Sequence, residues 1–121
     1  MAKFRIVVFS VVLTAFFLVC PKQASADKIN QLAFLLANDS SYKVRLQAAV
    51  TLAEFKNKRS VFALRFALKD KSHTVRGVAV AALGELHDTQ SIPILQKVLR
   101  TEKHPWVKTQ TRKVLRLLRK R

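Results

Sequence analysis

The chain has 121 residues, with 23 Lys and Arg against 7 Asp and Glu, which gives a formal net charge of +16 at pH 7. Such an excess of positive charge bears on partners and solubility, and it favours acidic proteins, anionic lipids, wall polyanions or nucleic acid as ligands. The single cysteine, Cys20, excludes a disulfide within the chain and a thiolate zinc site.

The first predicted segment is a secretory signal peptide over residues 1–26. Lys3 and Arg5 precede an apolar run at residues 6–19, and residues 24–26 supply the small side chains that a signal peptidase requires. The run falls short of the ~20 apolar residues that span a bilayer, which argues against a membrane anchor. We therefore expect an exported protein, either periplasmic or secreted.

Cleavage after Ala26 has one alternative, a lipoprotein signal in which Cys20 is lipidated. The bulky Val19 stands where a small residue normally precedes such a cysteine, so the sequence favours cleavage before Asp27. The predicted mature chain, residues 27–121, lacks cysteine and has 20 Lys and Arg against 7 acids, a net charge of +13. Its stability must therefore come from apolar packing.

Apolar residues recur at three- and four-residue spacing throughout the predicted mature chain, which indicates an all-α domain over residues 27–121. The links between the apolar segments are short and polar, so consecutive helices should be antiparallel. The six predicted helices lie near residues 28–37, 42–55, 59–68, 72–86, 90–100 and 105–121.

Residues 39–52 and 70–83 share nearly the same pattern of Asp, Val, Arg, Ala and Leu, at an offset of 31 residues. A weaker third copy follows after a further 32 residues. A fixed period of this size indicates one supersecondary unit that is repeated and stacked. The sequence therefore predicts three helix pairs, at about residues 28–56, 57–87 and 88–121.

These repeats resemble HEAT repeats, most closely the short HEAT-like type named after phycobilisome lyases. In that type an Asp ends the first helix of a pair and a Val-Arg dipeptide opens the second. The matching residues are Asp39, Val44 and Arg45 in the first unit and Asp70, Val75 and Arg76 in the second. The third unit departs, with Thr101 at the Asp position and Lys108 at the Arg position, which fits a terminal capping repeat. The resemblance implies a short right-handed α-solenoid.

The resemblance also implies a structural role for the two motif arginines. In the family the motif Arg pairs with the Asp of a neighbouring unit, and the resulting ladder fixes the stacking. Asp39 and Asp70 are the expected partners of Arg45 and Arg76, with Arg76 reaching Asp39. A charge at the edge of an Ala-rich packed stripe needs such a partner. We therefore interpret both arginines as structural rather than ligand-binding.

The sequence contains no arrangement that indicates an enzyme. It has no nucleophile with a base and an orienting group, no glycine-rich phosphate loop and no close pair of carboxylates. His73, His87 and His104 fall at predicted helix boundaries, too far apart for a local metal motif, and are expected to be solvated. We therefore expect no catalytic residue, no metal and no cofactor.

The aromatic residues are interpreted as parts of the core. Phe34, Phe55, Phe62 and Phe66 have helical spacing and are expected to fill the core rather than to stack on bases. Trp106 begins the last helix and is expected to cover the open end of the core. An exposed anchor for a partner is the alternative role for this side chain.

The leading functional hypothesis is a monomeric scaffold or adaptor that binds a protein partner, and an acidic protein is one candidate for that partner. Contact would be made by the concave face, formed by the second helices of the pairs. From Val75 to Gly84 only Arg76 is charged, and Gly77 and Ala81 would present a smooth apolar patch ringed by Lys and Arg. An apolar centre with a charged rim is the usual arrangement of an interface.

The last helix supports a second hypothesis, the binding of a polyanion. Solvated faces usually mix both signs of charge, whereas this helix has a purely basic stripe. The stripe consists of Lys108, Arg112, Lys113, Arg116, Arg119 and Lys120, with Arg121 beyond it. Anionic lipid and wall polymers are the favoured polyanions outside the cytoplasm.

Nucleic acid is a rival ligand, because HEAT-like folds also occur in DNA glycosylases. A signal peptide would remove the chain from cytoplasmic DNA, and no acidic residue stands with an aromatic and an Arg in a catalytic set. A chromophore-lyase activity rests on the name of the repeat type alone and is discounted, because fold does not imply function.

Overall fold

A computed structural model describes residues 25–120. Within this range the chain is all-α, with six helices and no strand. The helices are α1 (25–38), α2 (Tyr42–Glu54), α3 (Lys58–Phe66), α4 (His73–Glu85), α5 (Ile92–Thr101) and α6 (Pro105–Arg119). The three pairs α1–α2, α3–α4 and α5–α6 form the short all-α solenoid that the repeats predict, so that prediction is confirmed.

Two helices differ from the prediction at one end. The predicted last turn of α3 is a 3₁₀ helix, Ala67–Lys69, and the predicted first turn of α5 is another, Thr89–Ser91. The α-helix then begins at Ile92. Pro93 has no N–H to donate and therefore fits the first turn of α5, where that group would have no helical partner.

Two links connect one helix pair to the next, and both contain a residue with positive φ at the same position of the repeat. Lys56 and His87 stand at equivalent places in the 31-residue period, and both have positive φ, 47° and 52°. Each follows the end of a second helix, where a residue in the left-handed conformation closes the helix. The local backbone geometry therefore repeats together with the sequence.

The core lies between the layer of first helices (α1, α3, α5) and the layer of second helices (α2, α4, α6). The largest fully buried side chains include Leu52, Leu64, Leu83 and Leu95. Within the layer of second helices, α4 packs against both α2 and α6. Burial of these apolar side chains supplies the main stabilisation of a chain that has no cross-link.

The predicted signal peptide lies almost entirely outside the described residues, and so does the alternative lipidation site, Cys20. The described part of α1 begins at Ser25, two residues before the predicted cleavage site, so cleavage remains a prediction. The first buried apolar side chain of α1 is Ile29. A chain that begins at Asp27 therefore keeps every core side chain described for α1. No helix within residues 25–120 has the length and apolarity needed to cross a bilayer.

Candidate functional site

Arg45 is the one charged side chain among the buried residues of 25–120, and it joins the first two repeats. Its Nε and Nη2 donate to the two carboxylate oxygens of Asp70, at 2.9 and 3.1 Å. Its Nη1 donates to the backbone carbonyl oxygens of Asp39 and Ser40, at 2.7 and 3.2 Å. One guanidinium therefore holds the α1–α2 link and fastens it to the next repeat through a two-point charged bond.

Arg76 makes the same set of bonds one repeat further on. Its Nη1 donates to the carbonyl oxygens of Asp70 and Lys71, at 2.8 and 3.2 Å. Its Nε and Nη2 donate to the carboxylate of Glu102, both at 2.9 Å. The side chains of Arg76 and Glu102 are 20% and 6% exposed, against 4% and 8% for Arg45 and Asp70. The ion pair of Arg76 with Glu102, the joint between the second and third repeats, is therefore more accessible to solvent than the joint formed by Arg45 and Asp70.

The expected pairing of Arg76 with Asp39 is wrong, because each motif arginine reaches forward to the next repeat and not back. Asp39 takes part in none of the ion pairs within residues 25–120. Its carboxylate instead accepts a hydrogen bond from the backbone N–H of Ser41, at 2.8 Å. Asp39 therefore fixes the link before α2.

Glu102 takes the position in the third unit that Asp70 holds in the second. The sequence pattern placed Thr101 there, but the one-residue insertion in the third unit moves the acid one place along. The backbone contacts are equivalent: Asp70 accepts from the N–H two residues ahead, at 2.8 Å, and Glu102 accepts from the N–H of His104, at 3.0 Å. The last repeat is thus joined to the stack like the others.

Glu102 is held in its charged form. The hydrogen bond from Arg76 lowers the pKa of this carboxyl below its usual value, and the backbone N–H groups of His104 and Lys103 and the positive charge of Arg76 add to the effect. Burial acts in the opposite direction but is outweighed. The Glu102 carboxyl is therefore charged at neutral pH.

A third charged cluster, which the sequence reasoning missed, joins α3 to the start of α5. The Nε of Arg65 donates to Asp88 and to the hydroxyl of Ser91, at 2.9 and 2.8 Å, and its Nη2 donates to Asp88 at 2.8 Å. The hydroxyl of Ser91 in turn donates to Asp88. The available signal was weak: Arg65 is a single charge in an otherwise apolar stretch of α3 and has no counterpart in the 31-residue repeat.

The predicted apolar patch around Gly77 and Ala81 is not an open surface. Gly77 is buried because the indole ring of Trp106 lies on it, and a Cβ at Gly77 would stand 2.1 Å from that ring. Gly84 meets Val114 in the same way, at 2.9 Å, and Ala81 is half-buried. The missing side chains let α6 approach α4 closely. These glycines are therefore packing residues.

The outer face of α6 is a continuous positive surface. Its inner face is buried and consists of Val107, Thr111, Val114, Leu115 and Leu118. The predicted basic residues stand outside: Lys108 is half-buried, and the exposed ones are Arg112, Lys113, Arg116, Arg119 and Lys120. None of these six forms an ion pair with an acid of residues 25–120. Arg121 lies outside the described residues.

Two large apolar side chains accompany this positive surface. Trp106 and Leu117 are both partly exposed, and they lie three helical turns apart, hence on the same side of α6. Lys113 lies between them, one turn before Leu117. We call the six basic residues together with Trp106 and Leu117 the α6 face.

Three of the four phenylalanines expected in the core are exposed. Phe34, Phe62 and Phe66 have 67%, 74% and 64% of their surface open to solvent, whereas Phe55 is partly buried and packs on the core. Helical spacing alone was misleading, because two apolar residues of one helix can lie on different faces. Phe62 and Phe66 line a groove of about 530 Å³ between α1 and α3, here called the α1–α3 groove.

The histidines do not assemble a metal site. No group of three or more His, Cys, Asp or Glu within residues 25–120 is placed to hold an ion. His73 and His87 are exposed, as expected of solvated side chains, whereas His104 is half-buried and its ring stacks on that of His73, with centroids 3.9 Å apart. This stack bridges the starts of α4 and α6 and is a further contact between repeats.

The chain matches one family in comparisons with known proteins. A model of the family described as HEAT repeats matches residues 29–116, nearly the whole of the described range. No curated protein is significantly similar to the chain in sequence.

Proposed function

Since the chain belongs to the HEAT repeat family, whose members commonly serve as protein-interaction scaffolds, we propose that it is an exported, non-enzymatic adaptor that binds an acidic protein partner through the α6 face. The observation that carries this proposal is the set of six cations on α6 that have no ion-pair partner among the described residues.

No acidic side chain from residue 92 onward is free to neutralise the α6 face. Glu102 is the one acid from residue 92 onward, and its carboxylate is already bound by Arg76. Positive charge without internal compensation destabilises a compact state slightly but attracts an acidic surface from a distance. Trp106 and Leu117 add partly exposed apolar area beside the charges, as in an interface with an apolar centre and a charged rim.

The surface suggested by sequence alone, around Gly77 and Ala81, does not support this role, since α6 covers Gly77. The proposed interface therefore shifts from the middle of the second-helix layer to its last helix. Within the described residues no fourth pair packs against α6, so a wide arc of its surface is accessible.

A second candidate function, the binding of an anionic lipid or wall polymer, is favoured by the absence of acids from the exposed arc of α6. Each Lys or Arg near an anionic membrane contributes about 1 kcal/mol, over a screening length of ~8 Å at physiological ionic strength. A partner protein would add a geometric requirement, because its acids must match the positions of these cations.

The test compares two variants with the same change in charge. The first replaces four cations of the α6 face: Lys108→Gln, Arg112→Gln, Arg116→Gln and Lys120→Gln. The control replaces four exposed lysines elsewhere: Lys28→Gln, Lys43→Gln, Lys69→Gln and Lys71→Gln. Proteins cross-linked to each form in the native envelope fraction are identified by mass spectrometry, and binding of the purified candidates is then measured at low and high salt.

We expect an acidic protein to be bound by wild type and control but at least about tenfold more weakly by the α6 variant. Equal losses in both variants would contradict a specific face. If vesicles of anionic lipid or isolated wall polymer bind as tightly as any protein and depend on the same four residues, the second candidate is correct. Export has a separate test: the intact mass of the exported protein should correspond to a chain that begins at Asp27, without an acyl group on Cys20.

A further inference from the structure

We infer that the α1–α3 groove is a second binding site, which takes an apolar segment of a partner protein flanked by acidic residues. This inference rests on the adaptor function proposed above, since an adaptor needs more than one site. It concerns a different layer of the solenoid from the α6 face and a different kind of contact.

The groove has a large aromatic surface that is exposed to solvent. Phe62 and Phe66 stand along its α3 side with about two thirds or more of their surface open to solvent. The α1 side supplies Ile29 and Leu36, which are buried at its base. Contiguous exposed apolar surface on a protein marks an interaction site more often than isolated apolar residues do.

Small side chains leave room for inserted ones. Ala33 and Ala37 on α1 and Ala63 on α3 line the groove between the larger residues. A concave surface with small residues between the larger ones and two aromatic side chains along one side suits a segment that anchors two or three apolar side chains, as amphipathic peptides do in grooves between helices.

The positive charge at the rim of the groove favours a ligand that has acidic residues beside its apolar side chains. The polar residues that line the groove are Asn30, Lys58 and Arg59, and no acidic side chain lines it. Lys58 and Arg59 lie in the first turn of α3, where the helix dipole disfavours positive charge and where this helix has no acid. Neither takes part in an ion pair within residues 25–120. Acidic residues beside the apolar anchors would complement this rim.

The same charges argue against a second copy of this chain as the occupant. A two-fold interface places the same patch on both sides, so Lys58 and Arg59 of one copy would approach those of the other. Each predicted mature chain also has a net charge of +13. An apolar partner segment with acidic flanks therefore satisfies both the groove and its rim, whereas a second copy satisfies the groove alone.

The probe is a displayed library of random 12-residue peptides. It is selected on protein expressed from the complete sequence and purified at the length that processing leaves. Counter-selection uses the double variant Phe62→Ala/Phe66→Ala, whose side chains are exposed and whose melting temperature should stay close to wild type. Val50→Ala, an exposed apolar residue of α2, is the matched control.

We expect enriched peptides that combine two or three apolar or aromatic residues with neighbouring Asp or Glu. They should bind wild type and Val50→Ala equally but Phe62→Ala/Phe66→Ala at least about tenfold more weakly. Replacing their acids with Lys, or Lys58 and Arg59 with Gln, should weaken binding measurably. The α6 variant described above should bind these peptides like wild type, so that failure of the groove and failure of the α6 face are distinguishable.

Three results would overturn the inference. One is the absence of peptides that distinguish wild type from the double variant. Another is a dimer in sedimentation analysis that dissociates in the double variant, which would make a second copy the occupant. The third is binding to anionic vesicles that requires Phe62 and Phe66 while no peptide does, which would make the groove a lipid-contact surface.

Discussion

The two layers of the solenoid use apolar residues in opposite ways. In the second-helix layer, Gly77 and Gly84 remove side chains from α4, so that Trp106 and Val114 of α6 pack directly on its backbone. In the first-helix layer, α1 and α3 leave a groove between them with Phe62 on its rim. The comparison teaches that α4 and α6 pack without a gap between them, whereas α1 and α3 leave apolar surface available for binding.

The division is visible within one helix. Leu64 of α3 is fully buried, whereas the larger Phe62 and Phe66 are mostly exposed. The residues of α3 that are largest and most apolar are therefore not the ones that stabilise the fold. A prediction from sequence relies mainly on side-chain size and hydrophobicity. These properties would predict that Phe62 and Phe66 are buried at least as deeply as Leu64, whereas the structure shows the opposite.

Substitution of the two motif arginines, whose ion pairs join one repeat to the next, should cause the largest loss of stability. Arg45→Ala leaves the carboxylate of Asp70 buried without its partner, so we expect the free energy of unfolding to fall by about 3–5 kcal/mol. Arg76→Ala should cost less, about 1–3 kcal/mol, because Arg76 is more exposed. Chemical denaturation of both variants tests this order. A smaller effect for Arg45→Ala than for Arg76→Ala would contradict it.

The contact of α6 with α4 should give the next largest effect. Gly77→Ala places a Cβ against the ring of Trp106, and we expect a loss of about 1–3 kcal/mol through overpacking. In the Trp106→Ala background the same substitution should be neutral or stabilising by up to about 1 kcal/mol, because Ala is the better helix former. Thermal unfolding of the four proteins gives the coupling energy. Additive effects would show that the two residues do not meet.

Acid should weaken the joint between Arg76 and Glu102. Arg76 lowers the pKa of Glu102, so the unfolded chain takes up a proton there more readily than the folded one. The stabilisation is therefore present above the ordinary pKa of 4.5 and is lost as the pH falls below it. Glu102→Gln should be about 1–2 kcal/mol less stable than wild type at pH 7, and the gap should narrow progressively as the pH falls below 4.5. A gap that is the same at pH 7 and well below pH 4.5 would contradict this role.

The fold could be predicted from the repeats, because the residues that recur with the repeat period are those that pack between the helices. The helices, the three pairs and the inner face of α6 all follow from the recurrence of small and branched apolar residues at fixed positions. The partner of Arg76 did not follow, because a one-residue insertion moved the acid from position 101 to Glu102. Such a shift alters no helical pattern, so periodicity cannot detect it.

The exposed sites were harder to predict for a different reason. The basic residues of α6 were identified correctly as an outer face, since charge excludes a residue from the core. The sequence predicts an open patch at Gly77, because it does not show which helix lies across that residue. It predicts Phe62 and Phe66 in the core, because apolar residues are normally buried, and a repeat shows the period of a helix but not how widely neighbouring helices are spaced.

The most direct test of this division compares two substitutions on α3 by chemical denaturation. Leu64→Ala should reduce the free energy of unfolding by about 2–5 kcal/mol, because Leu64 is fully buried. Phe62→Ala/Phe66→Ala removes far more apolar surface, yet it should change the free energy of unfolding by less than about 1 kcal/mol, because both rings are exposed. A loss in the double variant as large as that of Leu64→Ala would place the phenylalanines in the core and contradict the account.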